Sequence, residues 1–196
     1  MKVFGIGLSR TGTKSLTLAL KQLGLNIVHY PNNRTTLQEL MTANYDLSIL
    51  RDCDGITDIT VAAYYAQLDQ LFPNSKFILT VREKESWLKA VEAHWHNKPV
   101  FDINPDNEDK MRLRRFLRLA VYGTYTFNPD RLAYVYDLHH KNILDYFKNR
   151  PESLLVLNIC GGEGWEVLCP FLERLILREE FPVMYKKSIL KKMLAV

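Results

Sequence analysis

The stretch VFGIGLSRTGTKSL, residues 3–16, runs from apolar residues through two glycines into a basic, hydroxyl-rich turn and then into a helical pattern. A strand that turns at glycine into the start of a helix is an anion trap in outline. The first amides of a helix have no partner inside it, and the helix dipole adds partial positive charge there. Outward from this stretch, apolar runs alternate with stretches of helical period. Strands are expected at 3–7, 26–29, 76–81 and 154–159, with a weaker one at 48–51. Helices are expected at 13–23, closed by Gly24, at 35–43, at 61–71, stopped by Pro73, and at 85–95. Two longer helical patterns, 107–122 and 129–149, form an insertion at about 97–150, before the last strand. The fold class this predicts is α/β, three layers with a mostly parallel central sheet.

The 196 residues, 47% of them hydrophobic, suffice for one domain, and the whole chain is read as one. Nowhere do about 18 uncharged apolar residues run together, and Cys53, Cys160 and Cys169 are odd in number and widely spaced. A soluble, cytoplasmic protein without disulfides, structural zinc or membrane attachment is expected. The net charge of +4 favours anionic ligands but lacks the density of a nucleic-acid binder.

Three phosphate-binding readings compete for the opening turn. A dinucleotide fingerprint needs a third glycine where this chain has Arg10. The nucleoside-triphosphate loop G-x-x-x-x-G-K-[ST] is approached by Gly7 and Gly12, but Thr13 is inserted ahead of Lys14 and Ser15. One extra residue turns the lysine by about 100° around the first helical turn. In the third reading, Ser9, Arg10, Thr11, Gly12, Thr13, Lys14 and Ser15 enclose a tetrahedral anion with backbone amides, hydroxyls and two cations.

On that third reading, GLSRTGTKSL resembles the 5′-phosphosulfate loop of the sulfotransferase family. FPNSKFILTVREKESWLKAV resembles the family's second signature, a strand ending in arginine followed by a helix with a Ser-Trp pair. YDLHHKNILDYF and LLVLNICGGEGWEVLCPFL resemble later segments of its small, mainly bacterial branch. The resemblance implies a P-loop-like fold that binds 3′-phosphoadenosine 5′-phosphosulfate (PAPS) and transfers its sulfuryl group to a hydroxyl or amine of a small or medium acceptor, without a metal. It implies that Arg10 and Lys14 neutralise the sulfuryl group and that Arg82 holds the 3′-phosphate. Trp165 or Trp87 is available to stack on the adenine.

Two departures from the family pattern stand out. Ala90 occupies the position where a serine contacts the 3′-phosphate, and Ser15 replaces the stacking tryptophan of eukaryotic relatives. The acceptor must lose a proton, and Asp58 and His29 are the candidate bases. Asp58 is equally suited to capping the helix that follows it. His94 and His96, two apart on a helix, do not share a face for metal binding. The basic run KMRLRRFLR reads as an amphipathic helix with a solvated face, and residues 185–196 as another amphipathic helix. Two further readings stay open: a non-catalytic nucleotide-binding protein that keeps the fold, motivated by Ala90, and a phosphotransferase. An acidic residue closing a second apolar strand would favour the latter, but KFILTV is closed by Arg82. The oligomeric state is not readable.

Overall fold

The computed structural model describes residues 1–101 and 108–184. Five strands form one parallel sheet in the order β2-β3-β1-β4-β5. They are β1 (Val3–Gly5), β2 (Ile27–His29), β3 (Gly55–Thr57), β4 (Lys76–Thr80) and β5 (Leu154–Leu157), and every pairing is parallel. Among the described residues eight α-helices connect and cover them: α1 (Thr13–Gln22), α2 (Arg34–Met41), α3 (Ile59–Ala62), α4 (Tyr65–Leu71), α5 (Lys84–His96), α6 (Glu108–Tyr122), α7 (Pro129–Phe147) and α8 (Trp165–Phe171). The chain is a three-layer α/β protein of P-loop-like architecture, with α6 and α7 inserted before the last strand.

Alternation along the strands divides the core in two. Phe4, Phe77 and Leu79 point into one cluster, with Trp87, Leu113, Tyr122 and Phe147. Val3, Ile78 and Leu157 point into the other, with Leu16, Leu20, Trp165 and Leu168. A sheet buried on both faces accounts for strands that read as unbroken apolar runs.

Two expected elements differ. Residues 48–51 form a 3-10 helix, in which Leu50 is buried and its amide bonds the Leu47 carbonyl at 2.8 Å. The third strand is β3, a few residues later. The helix expected at 61–71 is two helices, α3 and α4. Tyr64 and Tyr65, at the break, are drawn to different partners: Tyr64 to Tyr45, ring centroids 4.8 Å apart, and Tyr65 to Tyr146, 5.3 Å apart. The last strand stops at Leu157, because the Asn158 side chain accepts the Gly161 amide at 2.8 Å and turns the chain. The amphipathic helix expected over 185–196 lies outside the described residues.

Candidate anion-binding site

The order of the sheet places the site. From β1 the chain runs outward to β2 on one side, and β4 and β5 build the other. The crevice at the carboxyl ends of β1 and β4 is therefore the switch point where ligands gather in open α/β sheets. The turn after β1 carries Ser9 to Gly12, and the turn after β4 carries Arg82.

Gly7 has to be glycine, since an added Cβ would stand 2.0 Å from Thr80 Oγ1 and 2.6 Å from the Thr80 carbonyl oxygen. Gly12 takes φ 107° as N-cap of α1, without a side-chain cap. A left-handed residue here turns the chain sharply into the helix. The Leu16 amide makes the first intrahelical bond, to the Gly12 carbonyl at 3.0 Å, so the amides of Thr13, Lys14 and Ser15 precede the ladder.

Hydrogen bonds from distant segments fix the loop. Ser9 donates its amide to Tyr122 Oη (3.2 Å) and its hydroxyl to Asp58 (2.5 Å), and its carbonyl accepts Trp87 Nε1 (2.9 Å). Thr13 donates its hydroxyl to Asp58 at 2.5 Å, and Asp58 also caps α3 by accepting the Ile59 amide at 2.7 Å. Asp58 is buried and holds φ 80°, ψ −173°. Its carboxylate therefore braces the loop and caps the helix at once, with both oxygens engaged. It also closes a strand beside β1, the acidic strand end that sequence reading sought after β4.

Thr11 differs from expectation. It is fully buried, its hydroxyl contacts the Leu8 carbonyl and Thr80 Oγ1, and its amide bonds Leu8. It shapes the turn from behind. Ser15 accepts the Met184 amide at 3.0 Å.

The loop opens onto a cavity of about 600 Å³, and Arg10, Lys14, Arg82, Lys98, Arg114 and Arg118 line it together with Asp58, its one lining carboxylate among the described residues. Arg10 and Lys14 are exposed at the loop. The Arg82 guanidinium donates to the Ser86 hydroxyl from Nε (3.0 Å) and Nη2 (2.8 Å), and to the Arg10 carbonyl at 3.3 Å. Ser86 thus holds Arg82 from the first turn of α5. Arg82 and Ser86 also border a smaller adjoining cavity of about 150 Å³ with Asn158 and Gly161.

Neither tryptophan considered for stacking lines either cavity. Trp87 is fully buried and holds Ser9. Trp165 is buried, donates Nε1 to the Glu179 carbonyl at 2.8 Å and packs edge-on against Phe181. Tryptophan gives its bulk to the core here, and Trp165, expected at the adenine, is placed in packing against Phe181.

His29 lines the cavity, with Nδ1 3.1 Å from Thr57 Oγ1 and Nε2 3.8 Å from Asp58. Burial lowers its pKa, and the Asp58 carboxylate opposes that shift. Sequence reading missed His94, Tyr30, Lys98, Arg118 and Met184 as lining residues. His94 shares the α5 face of Trp87 and Val91, and a histidine in that apolar stripe was the available signal. Burial, then Arg10, lowers its pKa to about 4. Arg118 is also misread by the solvated-face account of α6. It is only 4% exposed, its guanidinium stacks 4.2 Å from the Trp95 ring centroid, and it donates to the Lys98 carbonyl at 2.8 Å.

A P-loop-like turn bound to a cationic crevice defines an α/β protein suited to anionic, nucleotide-sized ligands. The chain belongs to the sulfotransferase domain family, whose profile matches residues 2–189. It is also similar to the Ava biosynthesis cluster protein M of Aspergillus versicolor, 26% identical over 212 residues, covering 93% of this chain and 80% of that protein. No helix among the described residues is long and apolar enough to cross a membrane, and no three His, Cys, Asp or Glu side chains there converge as a metal site would require.

Proposed function

We propose that the protein is a sulfotransferase that takes its sulfuryl group from PAPS and delivers it to a hydroxyl or amine of a small or medium acceptor. The observation that carries this reading is the pairing of the loop with Arg82. The amides of Thr13 to Ser15 precede the helix ladder and are placed for an anion, and beside the loop stands a guanidinium oriented by Ser86 and tied to the Arg10 carbonyl. That arrangement suits a ligand carrying a 5′-phosphosulfate and a separate 3′-phosphate. Ser86 also supplies beside Arg82 the hydroxyl that Ala90 lacks, which weakens the case for a non-catalytic binder.

PAPS supplies the activated sulfuryl group, and the protein's part is orientation, charge neutralisation and removal of one proton. Arg10 and Lys14 neutralise charge at the transferred group. Asp58, with its oxygens committed to Ser9, Thr13 and Ile59, acts as a brace. The proton of the acceptor passes to His94, which lines the cavity near Arg10 and is neutral at physiological pH; His29 is the alternative base. As the acceptor's oxygen or nitrogen bonds to sulfur, the bond from sulfur to the nucleotide phosphate breaks, leaving 3′-phosphoadenosine 5′-phosphate.

Isothermal titration with 3′-phosphoadenosine 5′-phosphate, with adenosine 5′-phosphate and with ATP plus magnesium tests the reading. Binding should require the 3′-phosphate and weaken by about tenfold or more in Arg82→Ala, less in Ser86→Ala. Equal affinity for the two adenosine phosphates would refute the PAPS site. Preference for ATP with magnesium would establish the phosphotransferase reading that Asp58 at the β3 strand end allows.

A further inference from the structure

Two groups of cations on different elements line the cavity, and the proposed donor accounts for one of them. Arg10 and Arg82 lie on the loops after β1 and β4, and Lys14 in the first turn of α1. Arg114, Arg118 and Lys98 lie on α6 and just beyond α5. His29, Tyr30, Asp58 and His94 line the same space. His94 lines the cavity with both groups of cations, and after burial the charge of Arg10, and then those of Arg118 and Arg114, help lower its pKa.

The second group is a constructed wall. Arg114 and Arg118 are four apart on α6 and so share one face. Arg114 Nη1 donates to the Pro99 carbonyl at 2.6 Å, and Arg118 donates to the carbonyls of Lys98 and Tyr125. Arg114 makes these bonds through Nη1, which leaves Nε and Nη2 as donors for the cavity, whereas Arg118 donates to carbonyls from both Nη1 and Nη2 and contributes mainly its charge. Burial and then the neighbouring Arg114 pull the pKa of Arg118 down to about 10, so Arg118 stays charged at neutral pH. The Tyr30 phenol faces the same pair, with its pKa pushed up to about 12, chiefly by burial. Two adjacent guanidinium groups at a half-enclosed surface repel one another, and an oxyanion between them relieves that repulsion.

We propose that the Arg114–Arg118 wall binds an anionic group of the acceptor, so that the acceptor is a hydroxyl or amine compound bearing a carboxylate, sulfate or phosphate. The proposal rests on the sulfotransferase reading for the word acceptor, but the wall's preference for an oxyanion is separate from it. The wall would hold the acid group while the reacting hydroxyl or amine reaches back toward His94 and the loop.

The test uses 4-hydroxyphenylacetate and its methyl ester, a pair differing in the charge the wall reads, titrated into the full chain with and without saturating 3′-phosphoadenosine 5′-phosphate. The acid should bind at least about tenfold more tightly than the ester, and Arg114→Gln should remove that preference while leaving nucleotide affinity unchanged. Lys98→Gln, at a more exposed position, should reduce it partly and guards against a folding defect in the arginine variant. No preference for the acid, or no binding of either compound, overturns the proposal. A loss of nucleotide affinity in folded Arg114→Gln overturns it too, by assigning the wall to the donor. If wild type fails to bind the nucleotide yet binds the acid through Arg114, the donor reading falls and the oxyanion wall stands.

Discussion

Replacing Asp58 separates two things this residue does at once, bracing the loop and enduring an unfavourable backbone. Its φ of 80° and ψ of −173° lie in a region that suits glycine almost alone and costs another residue about 1–3 kcal/mol. Three donors hold it there: Ser9 Oγ at 2.5 Å, Thr13 Oγ1 at 2.5 Å and the Ile59 amide at 2.7 Å. Each bond to a charged acceptor contributes about 1.5–3 kcal/mol. Asp58→Ala removes all three and keeps the strain. The freed hydroxyls can rotate to other acceptors and a buried charge disappears, so the net loss should be about 3 kcal/mol rather than the sum. Asp58→Gly loses the same bonds but releases the backbone. It should be about 1 kcal/mol more stable than the alanine variant, even after glycine's larger unfolded-state entropy is counted. Asp58→Asn keeps one acceptor oxygen and should fall between wild type and alanine. Thermal unfolding of the three variants reads this order, with about 2–4 °C per kcal/mol for a chain of this size. An alanine variant within about 1 kcal/mol of wild type would refute the brace, and a glycine variant less stable than alanine would refute the strain.

Gly7→Ala should fail to fold or lose at least about 3 kcal/mol, because its methyl group meets the Thr80 backbone carbonyl at 2.6 Å as well as a side chain that can move; expression and unfolding measurements check this. His139 should make stability depend on pH. Its Nε2 lies 2.9 Å from the Ile6 carbonyl, an acceptor only, so that nitrogen carries the hydrogen, and burial lowers the pKa to about 4. The unfolded chain, with histidine near 6.5, binds the proton more readily. The contribution is therefore complete above about pH 6.5 and is lost as pH falls toward 4, by up to about 3 kcal/mol. His139→Gln, which can still donate to Ile6, should flatten the melting temperature between pH 7 and 4.5 relative to wild type. Equal slopes would show that His139 does not titrate there.

The elements legible in the sequence were those whose pattern is set locally. The passage from VFG through Gly12 to α1 joins a change of period to a glycine with positive φ, and the apolar run at β4 ends where Arg82 begins the turn. β3 was obscured because it is only three residues long and opens with Gly55, a poor strand former. The apolar residues of 48–51 serve a 3-10 turn burying Leu50. The loop residues around Arg10 could be named, yet the division between those facing the cavity and those shaping the turn could not. That Thr11 faces Thr80, or Thr13 faces Asp58, depends on neighbours 69 and 45 residues away. The wall of Arg114 and Arg118 was hidden for the same reason: a helix that reads as amphipathic with a solvated face becomes a cavity wall only when its insertion folds back over the crevice.

The tie from the Met184 amide to Ser15 spans 169 positions and has a bearing on synthesis. The anion loop leaves the ribosome ahead of its fastenings, which arrive in sequence: Asp58, Trp87, Tyr122 and then residue 184. Contacts this distant in sequence close late. The nascent chain should therefore carry its strands and helices before it can grip a nucleotide, and ligand capture should mark the end of folding rather than guide its beginning.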